Sequence, residues 1–163
     1  MKCPICDSEL ELTEVIKEIP YFGKVLFVVI KCKKCKYRKG DIEFLERKNE
    51  KKIEIKIKDI KDLNILVIRS SYAKISIPEF ELELIPGISA ESFITTVEGI
   101  LLRFKKAVET MLKWKYEEKD ERSIKKCIEI LNKIENALNG KEEFTLIIED
   151  PTGNSGILKT SSS

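Results

Sequence analysis

Four cysteines near the start of the chain have the spacing of a metal site. Two residues separate Cys3 from Cys6, and two separate Cys32 from Cys35. Four thiolates satisfy the tetrahedral geometry that zinc prefers, and they leave no coordination position open for water. The spacing therefore predicts one structural Zn2+ as cofactor. An iron site and a redox-active cysteine pair are the alternatives.

The residues between the two cysteine pairs must form strands that bring the thiols together. Leu10, Leu12 and residues 21–30 have the composition of strands, and the spacer at 7–31 exceeds the roughly 15–20 residues usual for such sites. Residues 1–45 are thus predicted to form a zinc ribbon with a long hairpin. A module this small lacks an adequate core, so metal binding, worth about 10–16 kcal/mol in zinc peptides, should supply much of its folding free energy.

Basic side chains surround the second cysteine pair. They are Lys31, Lys33, Lys34, Lys36, Arg38 and Lys39. The chain has a net charge of only +2, and residues 59–163 carry 15 basic and 18 acidic side chains, so the positive excess lies in the ribbon. This basic patch predicts contact with RNA phosphates or with an acidic protein surface. A solvated face on a lysine-rich protein is the competing interpretation.

The composition excludes several function classes. The chain has no histidine, which removes the commonest general base near neutral pH and the commonest nitrogen ligand of a catalytic metal. We therefore expect a binding protein and not an enzyme. Hydrophobic residues at 42% and charged residues at 36% predict a globular fold. No stretch approaches the roughly 20 apolar residues of a membrane span, and no leader precedes Cys3, so we expect a soluble, cytoplasmic protein without membrane contact.

Residues 46–163 are predicted to form a second, mainly β domain. Apolar residues alternate with polar ones at Ile53, Ile55 and Ile57, which is the period of a half-buried strand. Further strands are predicted at residues 65–68, 73–77, 80–85, 144–148 and 157–158. The segment 149–156 has the composition of a tight turn.

A helical hairpin is predicted at about residues 90–139. Apolar residues recur at three- and four-residue steps from Phe93 to Leu112 and again from Ile124 to Leu138. A polar break at Lys119 separates the two stripes, so the helices should pack antiparallel. Cys127 lies within the second stripe and is predicted to be a small buried residue.

Seven segments together resemble the ZPR zinc-finger family. They are residues 3–6 (CPIC), 19–23 (IPYFG), 32–38 (CKKCKYR), 67–71 (VIRSS), 77–79 (IPE), 95–99 (TTVEG) and 150–155 (DPTGNS). The resemblance implies an α+β, mainly β fold. A four-cysteine ribbon similar to that of translation initiation factor two beta would precede a double-stranded β-helix, or barrel-like, domain with an inserted helical hairpin. One such module is similar to the archaeal form of the family.

The same resemblance implies a function and a set of site residues. The family is associated with binding and folding assistance of translation elongation factor one alpha, so the implied partner is a GTPase of that type and the implied role is that of an adaptor or chaperone. The implied partner-binding residues are Arg69, Glu79, Thr95, Glu98, Asp150 and Asn154. Capping of a helix by Thr95, Thr96 and Glu98 is the competing interpretation. In this sequence Lys36 stands where the family usually has glycine.

Two other function classes remain as alternatives. An RNA- or ribosome-binding protein would use the basic patch, helped by the aromatic residues Tyr21, Phe22 and Tyr37. A metal-dependent oxygenase on a double-stranded β-helix usually needs histidine ligands, which this chain does not have.

Overall fold

The computed structural model describes residues 1–19, 23–46, 48–87 and 90–159. Ten strands and two α-helices follow one another along these residues. They are β1 (Leu10–Ile19), β2 (Gly23–Cys32), β3 (Arg38–Phe44), β4 (Lys51–Ile57), β5 (Leu66–Arg69), β6 (Lys74–Ile77), β7 (Leu82–Leu84), β8 (Phe93–Thr96), α1 (Val97–Glu118), α2 (Glu121–Leu138), β9 (Phe144–Asp150) and β10 (Gly156–Leu158).

The first three strands form the predicted ribbon. They pair in the order β1-β2-β3, and both contacts are antiparallel. The β1–β2 pairing runs without interruption from Leu10 opposite Cys32 to Ile19 opposite Gly23, so the long spacer is used as a long hairpin. Tyr21 and Phe22, which were expected to extend this strand, lie outside the described residues.

Few residues of the ribbon are fully buried. Among its described residues, 1–19 and 23–46, only Cys3, Val25 and Cys32 are buried. The main hydrophobic cluster lies entirely in the second domain, between Ile57 and Ile148. Packing alone therefore offers the ribbon little stabilisation, which agrees with the expectation from its size.

The second domain consists of two open antiparallel sheets. One has the strand order β4-β9-β6-β7, and the other has the order β10-β5-β8. The predicted mainly β domain with an inserted helical hairpin is confirmed. The described strands do not close into a single barrel, however, because β4, β7, β8 and β10 each remain an edge of their own sheet.

Strand β9 shows how alternation builds the core. Phe144, Leu146 and Ile148 are fully buried, and Asp150 occupies the next position on the same face. Phe144 also stacks near Phe80, with ring centroids 5.5 Å apart. The inward face of β9 therefore ends on a carboxylate instead of an apolar side chain.

The helical hairpin begins later than its predicted boundary. Residues from Phe93 to Thr96 form strand β8, which pairs with β5 from Arg69 opposite Phe93 to Leu66 opposite Thr96. Helix α1 starts only at Val97, where the Thr96 hydroxyl accepts the N–H of Gly99. The spacing of Phe93 fits the helical stripe, but pairing with β5 decides its conformation.

The remaining helix boundaries agree with the sequence. Asp120 caps α2, α2 ends at Leu138, and Cys127 is buried as predicted. Among the described residues, no helix is both long and apolar enough to cross a membrane.

The strand predicted at 80–85 is shorter than expected. Residues Pro78–Phe80 form a 3-10 turn, Glu81 has a left-handed backbone with φ of 57°, and only Leu82–Leu84 is strand. Pro78 has no N–H to donate to a sheet, and the turn buries the Phe80 ring in the core.

Truncating Ile134 should show that α2 is held by core packing. Ile134 is fully buried on α2, so Ile134→Ala should lower the free energy of unfolding by about 2–5 kcal/mol through lost contacts and a cavity. Ile128 lies on the same helix and is 40% exposed, so Ile128→Ala should cost less than about 1 kcal/mol. Urea denaturation of both variants tests the difference, and equal losses would contradict the observed packing.

Candidate metal centre and partner-binding residues

The two cysteine turns share one backbone conformation. The N–H of Cys3 donates to the carbonyl of Ser8, and the N–H of Cys32 donates to the carbonyl of Tyr37, both at 2.8 Å. The residue after each second cysteine is left-handed, with φ of 60° at Asp7 and 67° at Lys36. Glycine adopts this conformation without strain. Lys36 adopts this strained conformation in the turn that places the Cys35 thiol next to the other three.

The four thiols converge on one point. Cys3 Sγ lies 3.4 Å from Cys35 Sγ, and Cys6 Sγ lies 3.4 Å from Cys32 Sγ. All four sulfur atoms are within 4.8 Å of one another. A tetrahedral zinc ion with bonds of about 2.3 Å would hold its sulfurs roughly 3.8 Å apart, so the arrangement fits. These four cysteines are positioned to bind one zinc ion, and four sulfur ligands make the site structural.

Two of the four thiols, those of Cys6 and Cys35, have shifted pKa values. Hydrogen bonds from the hydroxyl and backbone of Ser8 lower the pKa of Cys6 to about 6. A hydrogen bond from the backbone of Tyr37 acts in the same direction on Cys35, but burial and the neighbouring thiols outweigh it and raise the pKa of Cys35 to about 12. Each further negative charge is harder to add to the cluster. A divalent cation removes this repulsion and favours four thiolates.

The predicted basic patch is fully exposed. Lys31, Lys33, Lys34, Lys36, Arg38 and Lys39 all have exposed side chains. Lys33 reaches Glu11 at 2.9 Å, while Lys31 and Arg38 are direct cross-strand neighbours. On its other side Lys31 is paired with Glu11 of β1, so an opposite charge also neighbours this part of the patch.

Asp150 accepts five hydrogen bonds in the interior. One carboxylate oxygen accepts the backbone N–H and hydroxyl of Thr152 at 2.8 and 2.7 Å. The other accepts the Ser70 hydroxyl at 2.6 Å and the N–H and hydroxyl of Ser155 at 2.9 and 2.5 Å. Burial alone would raise the pKa of Asp150, but the hydrogen bonds from Ser155, Ser70 and Thr152 outweigh it and lower the pKa. The carboxylate is therefore a structural anchor for residues 150–155.

The anchored loop also packs on the linker between the domains. The N–H of Lys48 donates to the carbonyl of Thr152 at 2.9 Å. Gly153 has φ of +70°, and a Cβ there would overlap the carbonyl oxygen of Asn49. Only glycine permits this close approach, so the loop joins the second domain to the chain leaving the ribbon.

Arg69 is buried and bound to backbone carbonyls. Its Nε and Nη2 donate to the carbonyl of Ala73 at 3.1 and 3.0 Å, and its Nη1 donates to that of Glu91 at 3.2 Å. Burial lowers its pKa, the nearby Arg103 lowers it further, and Asp150 acts in the opposite direction. In the described structure Arg69 ties together two loops and is only 3% exposed.

The other predicted partner-binding residues lie on separate elements. Glu79 is exposed in the 3-10 turn and accepts the Thr145 hydroxyl at 2.8 Å. Thr95 is half-buried in β8, and Glu98 is exposed in the first turn of α1. The residue whose side chain caps α1 is Thr96. A partner-binding role for the six residues remains a prediction.

Sequence reasoning did not single out Ser70 and Ser155, which complete the Asp150 network. Both lie inside segments that carry the family resemblance, 67–71 and 150–155. The sequence around a serine does not show which group its hydroxyl contacts. Ser70, for example, donates to a buried carboxylate 80 residues away in the chain.

Comparison with protein families matches both parts of the chain. Residues 1–49 match the ZPR1 zinc-finger domain, and residues 61–163 match the ZPR1 jelly-roll domain. The chain belongs to the ZPR1 family. The family resemblance stated from the motifs is confirmed, and so is the four-cysteine zinc site that opens the fold.

Archaeal members resemble the chain over nearly its whole length. A ZPR1-like protein of Methanocaldococcus jannaschii is 40% identical over 160 residues, which cover 97% of this chain and 79% of the relative. One from Pyrococcus horikoshii is 35% identical over 96% of this chain and 71% of its own. The zinc finger chaperone zpr1 of Schizosaccharomyces pombe is 28% identical, and the match covers 94% of this chain but 34% of the longer protein.

Metal content should follow the four ligands and not the fifth cysteine. Cys6→Ser and Cys35→Ser should each lose most bound zinc, because three thiolates leave the tetrahedron incomplete. Cys127→Ser is the matched control and should keep one zinc per chain, since Cys127 is buried in α2. Elemental analysis of the purified proteins measures this, and full zinc content in Cys6→Ser would contradict the assigned site.

Asp150→Asn should lower the free energy of unfolding by about 1–3 kcal/mol at neutral pH, because donors that now meet a carboxylate would face an amide. The folded-state pKa of Asp150 is below its unfolded value, so its stabilisation is complete above about pH 4 and is lost as the pH falls through the folded pKa. The stability gap between wild type and variant should thus narrow on acidification. Loss of zinc at low pH should affect both proteins equally. A difference in unfolding free energy that widens at low pH would contradict a lowered pKa of Asp150.

Proposed function

We propose that this chain is a zinc-binding adaptor or chaperone-like protein that binds a GTPase of the translation elongation factor one alpha type. Membership of the ZPR1 family supports a protein-binding role, since the Schizosaccharomyces pombe relative is named a zinc finger chaperone. The motif resemblance supports the choice of partner. The role is one of binding, with zinc holding the binding surface in shape.

The observation that carries the proposal is the exposed edge strand of the ribbon. Strand β1 lies at one edge of its sheet, and eight consecutive residues, 11–18, are exposed. Leu12 and Ile16 remain 54% and 61% exposed, and Val15, on the opposite face, remains 43% exposed. Apolar side chains that are exposed on an edge strand are unfavourable in water. They are typical of sites where another chain binds by strand addition.

The metal site controls the position of this edge. Leu10, at the start of β1, pairs with the ligand Cys32, and Ile5 in the first cysteine turn is 71% exposed. The zinc geometry therefore sets both the register of β1 and the direction in which its apolar residues face. A partner that covers the strand would recognise only the metal-bound ribbon.

Charge on this edge should weaken binding of the partner. Leu12→Lys/Ile16→Lys should reduce affinity for the purified elongation GTPase at least about tenfold, because an apolar contact would become a buried charge. Leu102→Lys/Met111→Lys is the matched control, since these α1 residues are 46% and 49% exposed. Isothermal titration calorimetry with GDP- and GTP-loaded partner measures both. If the wild type does not bind the GTPase, the proposed partner is wrong. If both double variants lose the same affinity, the proposed binding surface on β1 is wrong.

A second candidate function is RNA or ribosome binding through the basic patch. The observation that favours it is the exposure of all six basic side chains around the second cysteine turn. Tyr37 is half-buried beside them, so one aromatic ring lies within the patch. Phosphate contacts of this kind release counterions, which makes affinity fall steeply with salt.

The salt dependence of RNA affinity decides this second candidate. Lys33→Glu/Lys34→Glu/Arg38→Glu should flatten the plot of log affinity against log salt by about 2, because each single-strand phosphate contact contributes roughly 0.7. Lys113→Glu/Arg122→Glu/Lys125→Glu changes the same charge at exposed helix positions and should leave the slope unchanged. Fluorescence anisotropy with a labelled oligonucleotide measures both, and salt-insensitive or undetectable binding removes this candidate.

A further inference from the structure

Asn154 is a buried polar side chain whose oxygen has no partner. It is only 6% exposed, and its Oδ1 accepts no hydrogen bond within the part of the chain that the structure describes. Buried acceptors are almost always paired, because desolvation without a donor is costly. The Asn154 oxygen is therefore an acceptor for which the described residues supply no donor.

Asn154 is one of the residues that line a cleft of about 300 Å3, to which both domains contribute. Ser71, Tyr72 and Ser92 form its wall on the second domain. Asp41 and Glu43 of strand β3 form its wall on the ribbon. The cleft consequently exists only while the ribbon holds β3 in place against the loop.

Among the described residues that line the cleft, Asp41 and Glu43 are acidic and none is basic. Asp41 and Glu43 are two residues apart on a strand, so they share one face, and both are exposed. Among the described residues, neither carboxylate takes part in a salt bridge. Asp41 Oδ1 accepts the N–H of Ile42 at 2.8 Å, which leaves its second oxygen available. Asp41, Glu43 and Asn154 thus bring two carboxylates and one amide side chain to the same cleft.

The position of Asn154 is set by its neighbours. The N–H of Ser155 is held by Asp150, and the Ser155 hydroxyl accepts the N–H of Ser70 at 2.9 Å. Gly153 is pressed against the carbonyl of Asn49. Because the residues on both sides are fixed, the loop presents Asn154 in a preorganised conformation, which is how a binding site lowers the entropy cost of a ligand.

We propose that this cleft binds an arginine side chain of the protein partner. A guanidinium group offers five N–H donors in a planar fork, which suits one amide oxygen together with two carboxylates. The volume is at the lower end of the roughly 300–1,000 Å3 typical of ligand pockets, so it suits one side chain. This deepens the proposed function and rests on it for the source of the arginine, whereas the chemistry of the cleft stands on its own geometry.

The cleft is tested by nuclear magnetic resonance on the zinc-loaded full chain labelled with 15N. The probes are acetyl-Gly-Ser-Arg-Ser-Gly-amide and the same peptide with citrulline, which keeps the shape of arginine but removes its charge. The arginine peptide should shift the side-chain NH2 signal of Asn154 and the backbone signals of Ile42 and Ser71 in a saturable way, with affinity at least about fivefold above the citrulline peptide. Equal shifts from both peptides, or none at these residues, would overturn the proposal and leave water as the donor to Asn154.

Two variants of equal charge change locate the binding. Asp41→Asn/Glu43→Gln alters exposed side chains of β3, so folding should be unaffected, and the affinity for the arginine peptide should fall about threefold or more. Glu14→Gln/Glu18→Gln alters exposed side chains of β1 and should leave that affinity within about twofold. Equal losses in both variants would overturn the cleft in favour of a general attraction of the peptide to exposed carboxylates.

The same variants separate this proposal from the proposed function. If the peptide binds as described but the elongation GTPase does not bind the wild type, the cleft stands and the named partner falls. If the GTPase binds the wild type and Asp41→Asn/Glu43→Gln equally well, the cleft does not serve that partner and the inference fails while the proposed function stands.

Discussion

The convergence of four sulfur atoms on one cation is the constraint on which the ribbon depends. Of the three buried residues in its described part, two are the ligands Cys3 and Cys32. Tetrahedral coordination therefore supplies the folding free energy that an apolar core supplies in a larger domain. It also sets the strand register, because Cys32 ends β2 directly opposite the first residue of β1. The positions of the exposed edge of β1 and of Asp41 and Glu43 on β3 therefore both depend on the metal.

A second constraint, made only of hydrogen bonds, organises residues 150–155 of the second domain. Alternation along β9 places Asp150 on the core face, where a carboxylate needs several donors to remain charged. Five hydrogen bonds supply them and thereby shape the loop that packs on the linker. Asn154, which lines the cleft between the two domains, keeps a side-chain oxygen for which the described residues supply no donor. Metal and buried carboxylate together define a surface that neither domain has alone.

Several features could be predicted from sequence because their signals are local. Cysteine spacing identified the ligands, and strand and helix periods identified the two-part fold. Prediction failed where distant contacts decide: Phe93 fits a helical stripe, yet pairing with β5 makes it strand. The burial of Arg69 against backbone carbonyls and the unpaired oxygen of Asn154 have no local signal either, since both arise when loops far apart in the chain meet. Membership of the family located these segments, but the structure shows what they contact.

Hydrogen exchange on the full chain, with zinc bound and after its removal by a chelator, tests the central claim most directly. A ribbon organised by metal should lose amide protection throughout β1, β2 and β3 when zinc is removed. Strands β6 and β9, which belong to a separate apolar core, should keep theirs. Protection of β2 that persists without metal would contradict the claim that coordination replaces a core in this module.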